Sequence, residues 1–457
     1  MIRSIWDQLL TRNSFVQNAA YMFSASAFGM IVQFVFAPIL SRLYTPETYG
    51  LFGIFNSIVV VLGVFATLGY NQAFVLPKSE KLFRGLFNVA LRSTIITSIL
   101  FTLIFGLAWP WINAILSAEK LGTWTILVGP MVFVLAIDRL LIDWSVRIKA
   151  FKSQSLISVP VSIGSKSFNV GYNLLVSPLV GGLIITTAIT YVSRIWLYLK
   201  KVIPNSREFL RQPVDNESIT EAKREFKAYP RFVMWSNALN TASTYIPVLA
   251  LPIFLDSAAA AGLFTYSLMV LDLPARLLGA GVNKVYFQRA AEMERDNPDG
   301  LANMTWKLYR GLILIVIGPL ILLGILGEPA YAFVFGNEWE MAGLMAAIMT
   351  SFYFFKLVSA PVATIFNVKR KERSLFWFQL TLFGLRLVSI VVAGWLTQDL
   401  IEMIIWFSVA NAIAYFILII WIFVLLKQHV WRSILFSLTT FAAGTSIVLL
   451  IRHFFMN

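Results

Sequence analysis

Seven of the ionisable side chains inside long apolar runs of this sequence are the candidates for chemistry. Five are bases, Lys166, Arg194, Arg276, Lys356 and Arg386, and two are acids, Asp138 and Asp272. A charge at the centre of a bilayer costs at least ~2.5–3.5 kcal/mol on insertion scales, so such a group faces a cavity or a partner. Lys166, Lys356 and Arg386 fall near the middle of their runs. Arg276 is about one to two turns from an end. Arg194 is nearer still, where a long side chain can instead snorkel to the headgroups. An interior with five bases against two acids attracts anions such as a diphosphate or acidic sugars. Arg offers phosphate a bidentate fork and Lys a point charge. A carrier of cations would need acids where its cargo binds.

Asp272 and Arg276 are four residues apart, so on one helix their side chains can meet. Asp272 is then either the structural partner of Arg276 or a proton or sodium site whose neutralisation releases that arginine. Asp138 stands beside Arg139, and the two read as interfacial structure.

Neutral polar residues line up with these charges. Ser155, Ser158, Ser162, Ser165, Lys166, Asn169 and Asn173 fall within about 100° of arc on one helix. Thr265, Asp272, Arg276 and Asn283 form a narrower stripe, and Asn237, Asn240, Thr241 and Thr244 share a face. Small polar residues also serve hydrogen bonding between close-packed helices. A stripe of that length with a lysine at its centre points to a wet cavity. The expected cargo contacts are therefore Lys166, Arg276, Lys356, Arg386, Arg194, Asn169 and Asn237, with Asp272 as the ion-coupling candidate.

The elements that position these groups are thirteen apolar runs. They cover 18–40, 50–68, 94–111, 124–141, 156–176 and 179–199, then 232–255, 258–282, 312–335, 343–366, 376–396, 401–426 and 434–451. Each is close to the roughly 20 residues that cross a hydrocarbon core as a helix. The chain is 58% hydrophobic, with a mean hydropathy of +0.75. Bases outside the runs collect on one set of alternate loops, and only Arg42, Lys120 and Arg452 fall on the other. The positive-inside rule then puts the N-terminus in the cytoplasm. The net charge of +14 sets topology and meets anionic lipid rather than nucleic acid. With no cysteine there are no disulfides or thiolate metal sites. Residues 1–13 are polar and the run after them is too long for a cleavable signal, so the first run reads as an anchor.

Loop lengths divide the chain. The outer loops are short, whereas 200–231 carries Pro204, Pro213 and mixed charge, with a surface helix expected over 219–229. The expected organisation is a six-helix lobe at 1–199, a cytoplasmic interlobe loop at 200–231, a second six-helix lobe at 232–426 and an additional helix at 427–457. The thirteenth run either crosses the membrane or lies along its surface. The two groups echo each other. Tyr49-Gly50-Leu51-Phe52 follows the first run and Ala261-Gly262-Leu263-Phe264 follows the seventh, as a parallel repeat would. The fold class is all-α: a polytopic membrane protein with twelve core helices in two lobes.

The segment Ser41-Arg42-Leu43-Tyr44-Thr45-Pro46-Glu47-Thr48-Tyr49-Gly50-Leu51-Phe52 resembles the first outer loop of the bacterial polysaccharide transporters, the O-antigen flippase group. That group belongs to the multidrug/oligosaccharidyl-lipid/polysaccharide exporter superfamily. Similar echoes are Leu68-Gly69-Tyr70, Phe335-Gly336-Asn337-Glu338-Trp339 and Asn367-Val368-Lys369-Arg370-Lys371. The resemblance runs from about 15 to 426 in helix order and loop length. It implies two lobes about a cavity and alternating access that moves a polyprenyl-diphosphate-linked oligosaccharide outward across a bacterial inner membrane. It further implies a polysaccharide polymerase and glycosyltransferases as partners, and no cofactor. A cation-coupled multidrug antiporter of the same superfamily is the competing reading. A membrane polymerase or ligase is a weaker one, because the outer loops are short and no acid–base constellation stands out. No Walker-type phosphate loop occurs.

Overall fold

The computed structural model describes residues 14–176, 179–203 and 206–455, leaving aside the side chains of 14–26, 207, 274–281, 284–285, 298–299, 372 and 455. The described chain is helical throughout. Its long helices are α1 (Ser14–Leu43), α2 (Pro46–Ala66), α3 (Glu80–Ile115), α4 (Val128–Arg147), α5 (Phe151–Leu175) and α6 (Val180–Leu197). They continue with α7 (Met234–Leu255), α8 (Ala258–Asp296), α9 (Pro298–Phe335), α10 (Glu340–Val362), α11 (Glu372–Thr397), α12 (Leu400–Leu425) and α13 (Val430–Phe455). In hydrocarbon every backbone amide must be satisfied within the chain, and a helix does so without a partner. Each apolar run has accordingly become one helix.

Ten described segments are long and apolar enough to cross a membrane, and α13 is within one of them. The described parts of α1 and α8 add two shorter apolar helices, Ala27–Leu43 and Ala258–Leu273. α5 is outside both groups because its serine and asparagine stripe lowers its hydropathy. The protein is a multi-pass membrane protein. Tight turns separate the helices, several at residues with left-handed backbones: Leu68, Ser117, Lys149, Asp256, Gln398 and Lys427. Ser79 and Asp399 cap α3 and α12 by accepting from the backbone N–H groups of Leu82 and Glu402, at 3.1 and 2.9 Å.

The chain forms two compact units, residues 1–44 with 54–241, and residues 45–53 with 242–457. In the first unit, Phe74, Phe83, Phe87, Trp144 and Phe209 form one aromatic cluster. Arg147 closes it, with its guanidinium 4.4 Å from the Phe83 ring and donating to the Phe74 and Pro77 carbonyls at 2.8 and 3.0 Å. Much of the long loop after α6 is built into this unit. Its surface helix spans Asn216–Glu225, somewhat earlier than the apolar pattern suggests, because Asp215 supplies the N-cap. That helix lies on α3 over Gly85, where a Cβ would come 2.3 Å from the Ser218 carbonyl oxygen. Lys81 pairs with Asp215 at 3.2 Å and with Glu217 at 3.1 Å, and Arg84 binds Gln212. Ile219, Ala222 and Phe226 are buried beneath it.

The second unit explains the echoed motifs. Gly50 and Gly262, the glycines of the two repeats, meet each other where α2 crosses α8. A Cβ on Gly50 would come 1.7 Å from the Ala258 carbonyl oxygen, and one on Gly262 would come 1.9 Å from that of Pro46. Only glycine permits backbones so close. Tyr49 then packs edge-on against Tyr266 and Trp339, with ring centroids 5.1 and 5.5 Å apart. The aromatic residues of two separate motifs thus share one buried cluster.

Candidate functional site

The second unit gathers two connected charge networks. Tyr353 and Lys356 are three apart on α10 and therefore share a face. Asp272 reaches them from α8. Its Oδ1 accepts from the Tyr353 hydroxyl at 2.7 Å and from Lys356 Nζ at 3.2 Å, and Lys356 also donates to the Tyr353 oxygen at 3.1 Å. The Lys356 and Asp272 side chains keep 26% and 30% of their surface exposed, so the pair borders open space. Arg386 of α11 is buried. It donates to Asn411 Oδ1 at 2.7 Å, to the Ser243 hydroxyl at 2.9 Å and to the Tyr415 hydroxyl at 3.2 Å. All three acceptors are neutral. Tyr353 feels both Arg386 and Tyr415 electrostatically, so the two networks are neighbours.

In the first unit, Lys166 has no hydrogen bond or ion pair among the described residues. The serines beside it turn back onto their own helix: Ser158, Ser162 and Ser165 donate to the carbonyls of Ser155, Ser158 and Ser162. The stripe therefore needs no polar partner opposite these hydroxyls. Asn169 is 5% exposed, with its carbonyl oxygen unmatched. Asn173 donates to the Leu43 carbonyl at 3.3 Å, tying α5 to the end of α1. Arg194 binds Asp138 by both ends of its guanidinium fork. Asn237 lines a polar cavity at the ends of α2 and α4.

The structure supplies partners from other helices for both acids of the sequence-based pairings. Asp272 is held by Lys356 and Tyr353 of another helix, while the Arg276 side chain lies outside the described residues. Asp138 is partnered by Arg194, from α6, and also feels its chain neighbour Arg139 electrostatically. That bidentate pair also replaces snorkelling for Arg194. Charge pairing across helices depends on packing, which intrahelical spacing cannot report. A further acid of the apolar runs also finds a partner. Glu328, inside the ninth apolar run, forms an ion pair with Arg452 of α13. That contact ties the thirteenth helix to α9.

The profile of a family described as "Polysaccharide biosynthesis protein" matches residues 39–344. The chain belongs to that family. A search of curated proteins finds no match. Among solved structures, the fold is similar to that of a lipid II flippase, MurJ, in an inward closed conformation, with TM-score 0.68 at 12% identity. That alignment covers 95% of this chain and 97% of the flippase. An inward-facing multidrug resistance MATE family transporter of the MOP superfamily gives TM-score 0.62 at 12% identity, over 93% of this chain and 95% of the other. An outward-facing member of that MATE family gives 0.53 at 14% identity, over 96% and 98%. The chain shares the fold of these transporters.

Within this family member, the residues that sequence reasoning missed are the neutral ones. Ser243, Asn411 and Tyr415 hold Arg386, and Tyr353 holds Asp272. A signal did exist for two of them: Asn411 and Tyr415 are four apart in an otherwise apolar run, so they share a face. Among the described residues, no group of three His, Asp or Glu side chains could hold a metal ion.

Proposed function

We propose that this protein is a flippase that carries a polyprenyl-diphosphate-linked oligosaccharide from the cytoplasmic to the outer leaflet by alternating access. The reading includes a bacterial inner membrane, a cytoplasmic N-terminus and a role in surface polysaccharide synthesis beside glycosyltransferases and a polymerase. One observation carries it beyond the family. Three acids within the apolar runs are each matched by a base, in the pairs Asp138–Arg194, Asp272–Lys356 and Glu328–Arg452, and the fourth, Glu402, is exposed in the first turn of α12. Lys166 and Arg386 have no carboxylate partner among the described residues. The surplus membrane charge is therefore positive, which suits a diphosphate and works against a cationic drug.

In this mechanism Lys166 of the first unit and Arg386 of the second are separate anion contacts, each ready to exchange weak or absent partners for a phosphate oxygen. The prenyl tail stays in lipid, and no covalent step is needed. Asp272 is the acid on which an ion gradient would act. Protonation removes its charge, loosens Lys356 and frees that ammonium for the cargo.

The test is saccharide export from cells carrying Lys166→Ala, Arg386→Ala or both, normalised to protein abundance. Each single change should lower export several-fold, and the double change should lower it further. Lys166→Ala should leave abundance unchanged, because no described side chain loses a partner. Normal export from the double variant at normal abundance would refute the anionic-cargo reading.

A further inference from the structure

The polar cavity of the first unit has no assigned role, and its chemistry differs from that of the cationic groups. Its volume is about 350 Å³, and its walls come from the end of α2, the turn after it, the second half of α4 and the start of α7. The smaller ligand sites of proteins begin near ~300 Å³. Thr67 donates to Asn71 Oδ1 at 2.6 Å, and Asn71 Nδ2 donates to Asp143 Oδ2 at 2.6 Å. This relay orients the Asp143 carboxylate and leaves its Oδ1 without a hydrogen-bond donor among the described residues. On the α7 wall, Asn237 Nδ2 is buried with no acceptor. Arg139 lines the same space, one turn before Asp143 on α4, and acts on that carboxylate electrostatically.

The cavity therefore offers an oriented acceptor, an unused amide donor and charges of both signs. A simple anion would be repelled by Asp143, and a simple cation by Arg139. An apolar ligand would strand every one of these groups, since buried polar atoms are costly when unpaired. A sugar ring matches the pattern. One hydroxyl of a vicinal diol donates to Asp143, while its neighbour accepts from Asn237. Gly63 keeps the α2 wall low, because a Cβ there would come 2.9 Å from Leu135 and 3.6 Å from the Arg139 guanidinium.

We propose that this cavity is a saccharide subsite that reads hydroxyls of the glycan on a lipid-linked cargo, separately from the groups that hold its diphosphate. The inference rests on the flippase reading above and adds the residues that would choose among glycans. On the expected topology the cavity faces the cytoplasmic side, where a newly made lipid-linked saccharide presents its sugar.

The experiment measures binding to the full-length protein in nanodiscs with two probes. One is bare polyprenyl diphosphate, and the other is the lipid-linked saccharide pool extracted from membranes of cells that make the polymer. The wild type should bind the glycosylated lipid at least tenfold more tightly than the bare lipid. Asp143→Asn and Asn237→Ala should each reduce that ratio at least threefold, whereas Lys166→Ala should weaken both probes alike. Should Asp143→Asn fail to fold, Thr241→Leu fills the same cavity without breaking the Thr67–Asn71–Asp143 relay, and it should lower the ratio equally. A ratio of one in the wild type, or an unchanged ratio in folded Asn237→Ala and Thr241→Leu, overturns the subsite and leaves the flippase reading intact. Failure of the wild type to bind either lipid overturns both.

Discussion

Replacing Asp272 and Lys356 singly and together tests whether the cross-helix pair holds the second unit together. The ammonium and carboxylate are 3.2 Å apart, which at an effective dielectric of 20 corresponds to roughly 5 kcal/mol of attraction. Both side chains keep about a quarter to a third of their surface exposed, so solvent screening and the desolvation of each ion take back much of this. A coupling of about 1–3 kcal/mol remains. Lys356→Met should destabilise by more than that, since among the described residues Asp272 then keeps only the Tyr353 hydroxyl as a hydrogen-bond partner and loses the Lys356 charge. Asp272→Asn should be milder, because Lys356 still lies over the Tyr353 ring, 4.2 Å from its centroid. The double variant should be more stable than the sum of the two losses by about 1–3 kcal/mol, read from denaturant unfolding of purified protein in one detergent. Additivity within ~0.5 kcal/mol would refute the pairing. Transport by reconstituted Asp272→Asn, with and without an imposed proton or sodium gradient, then separates coupling from structure. Unchanged gradient dependence at normal abundance removes Asp272 from the coupling step.

Other outcomes follow from the same geometry. Reporter fusions at Lys200 and Lys369 should register cytoplasm and those at Glu119 and Asn337 the outer side, and an inversion at any of the four overturns the orientation. Gly85→Val should detach the Asn216–Glu225 helix, because its side chain enters the Ser218 backbone. Trypsin cleavage at Lys223 and Arg224 should rise several-fold, and unchanged cleavage would show that the helix is held elsewhere. The hydrogen bond from Ser218, helped by Lys81, holds the Asp215 carboxyl below its ordinary range. A group depressed by folding stabilises fully above its unfolded pKa, ~3.9 for aspartate, and loses that contribution as pH falls through its folded value. Hydrogen-exchange protection of 216–225 should thus stay level from pH 7 to 5 and weaken below about pH 4. A loss already present at pH 6 would rule out Asp215 as the group responsible.

Much of this molecule was legible before any tertiary contact was known. Hydrocarbon leaves a polypeptide little choice but helix, so run length and apolarity alone predict α1 to α13 and the turns between them. Depth along a run likewise singles out Lys166, Lys356 and Arg386, because burying a charge is expensive whatever surrounds it. The echoed Tyr-Gly-Leu-Phe and Ala-Gly-Leu-Phe segments were readable as a repeat. That their glycines touch was not, since the contact joins α2 to α8. The same limit governs the charges. Spacing and adjacency could offer Asp272 and Asp138 only neighbours on their own helices, and gave no sign of Lys356 and Arg194, 84 and 56 residues away, which bind them. Periodicity reports which residues share a face of one helix. Which face meets which is settled by side-chain packing among many helices, and that packing alone decided which membrane charges are matched across helices.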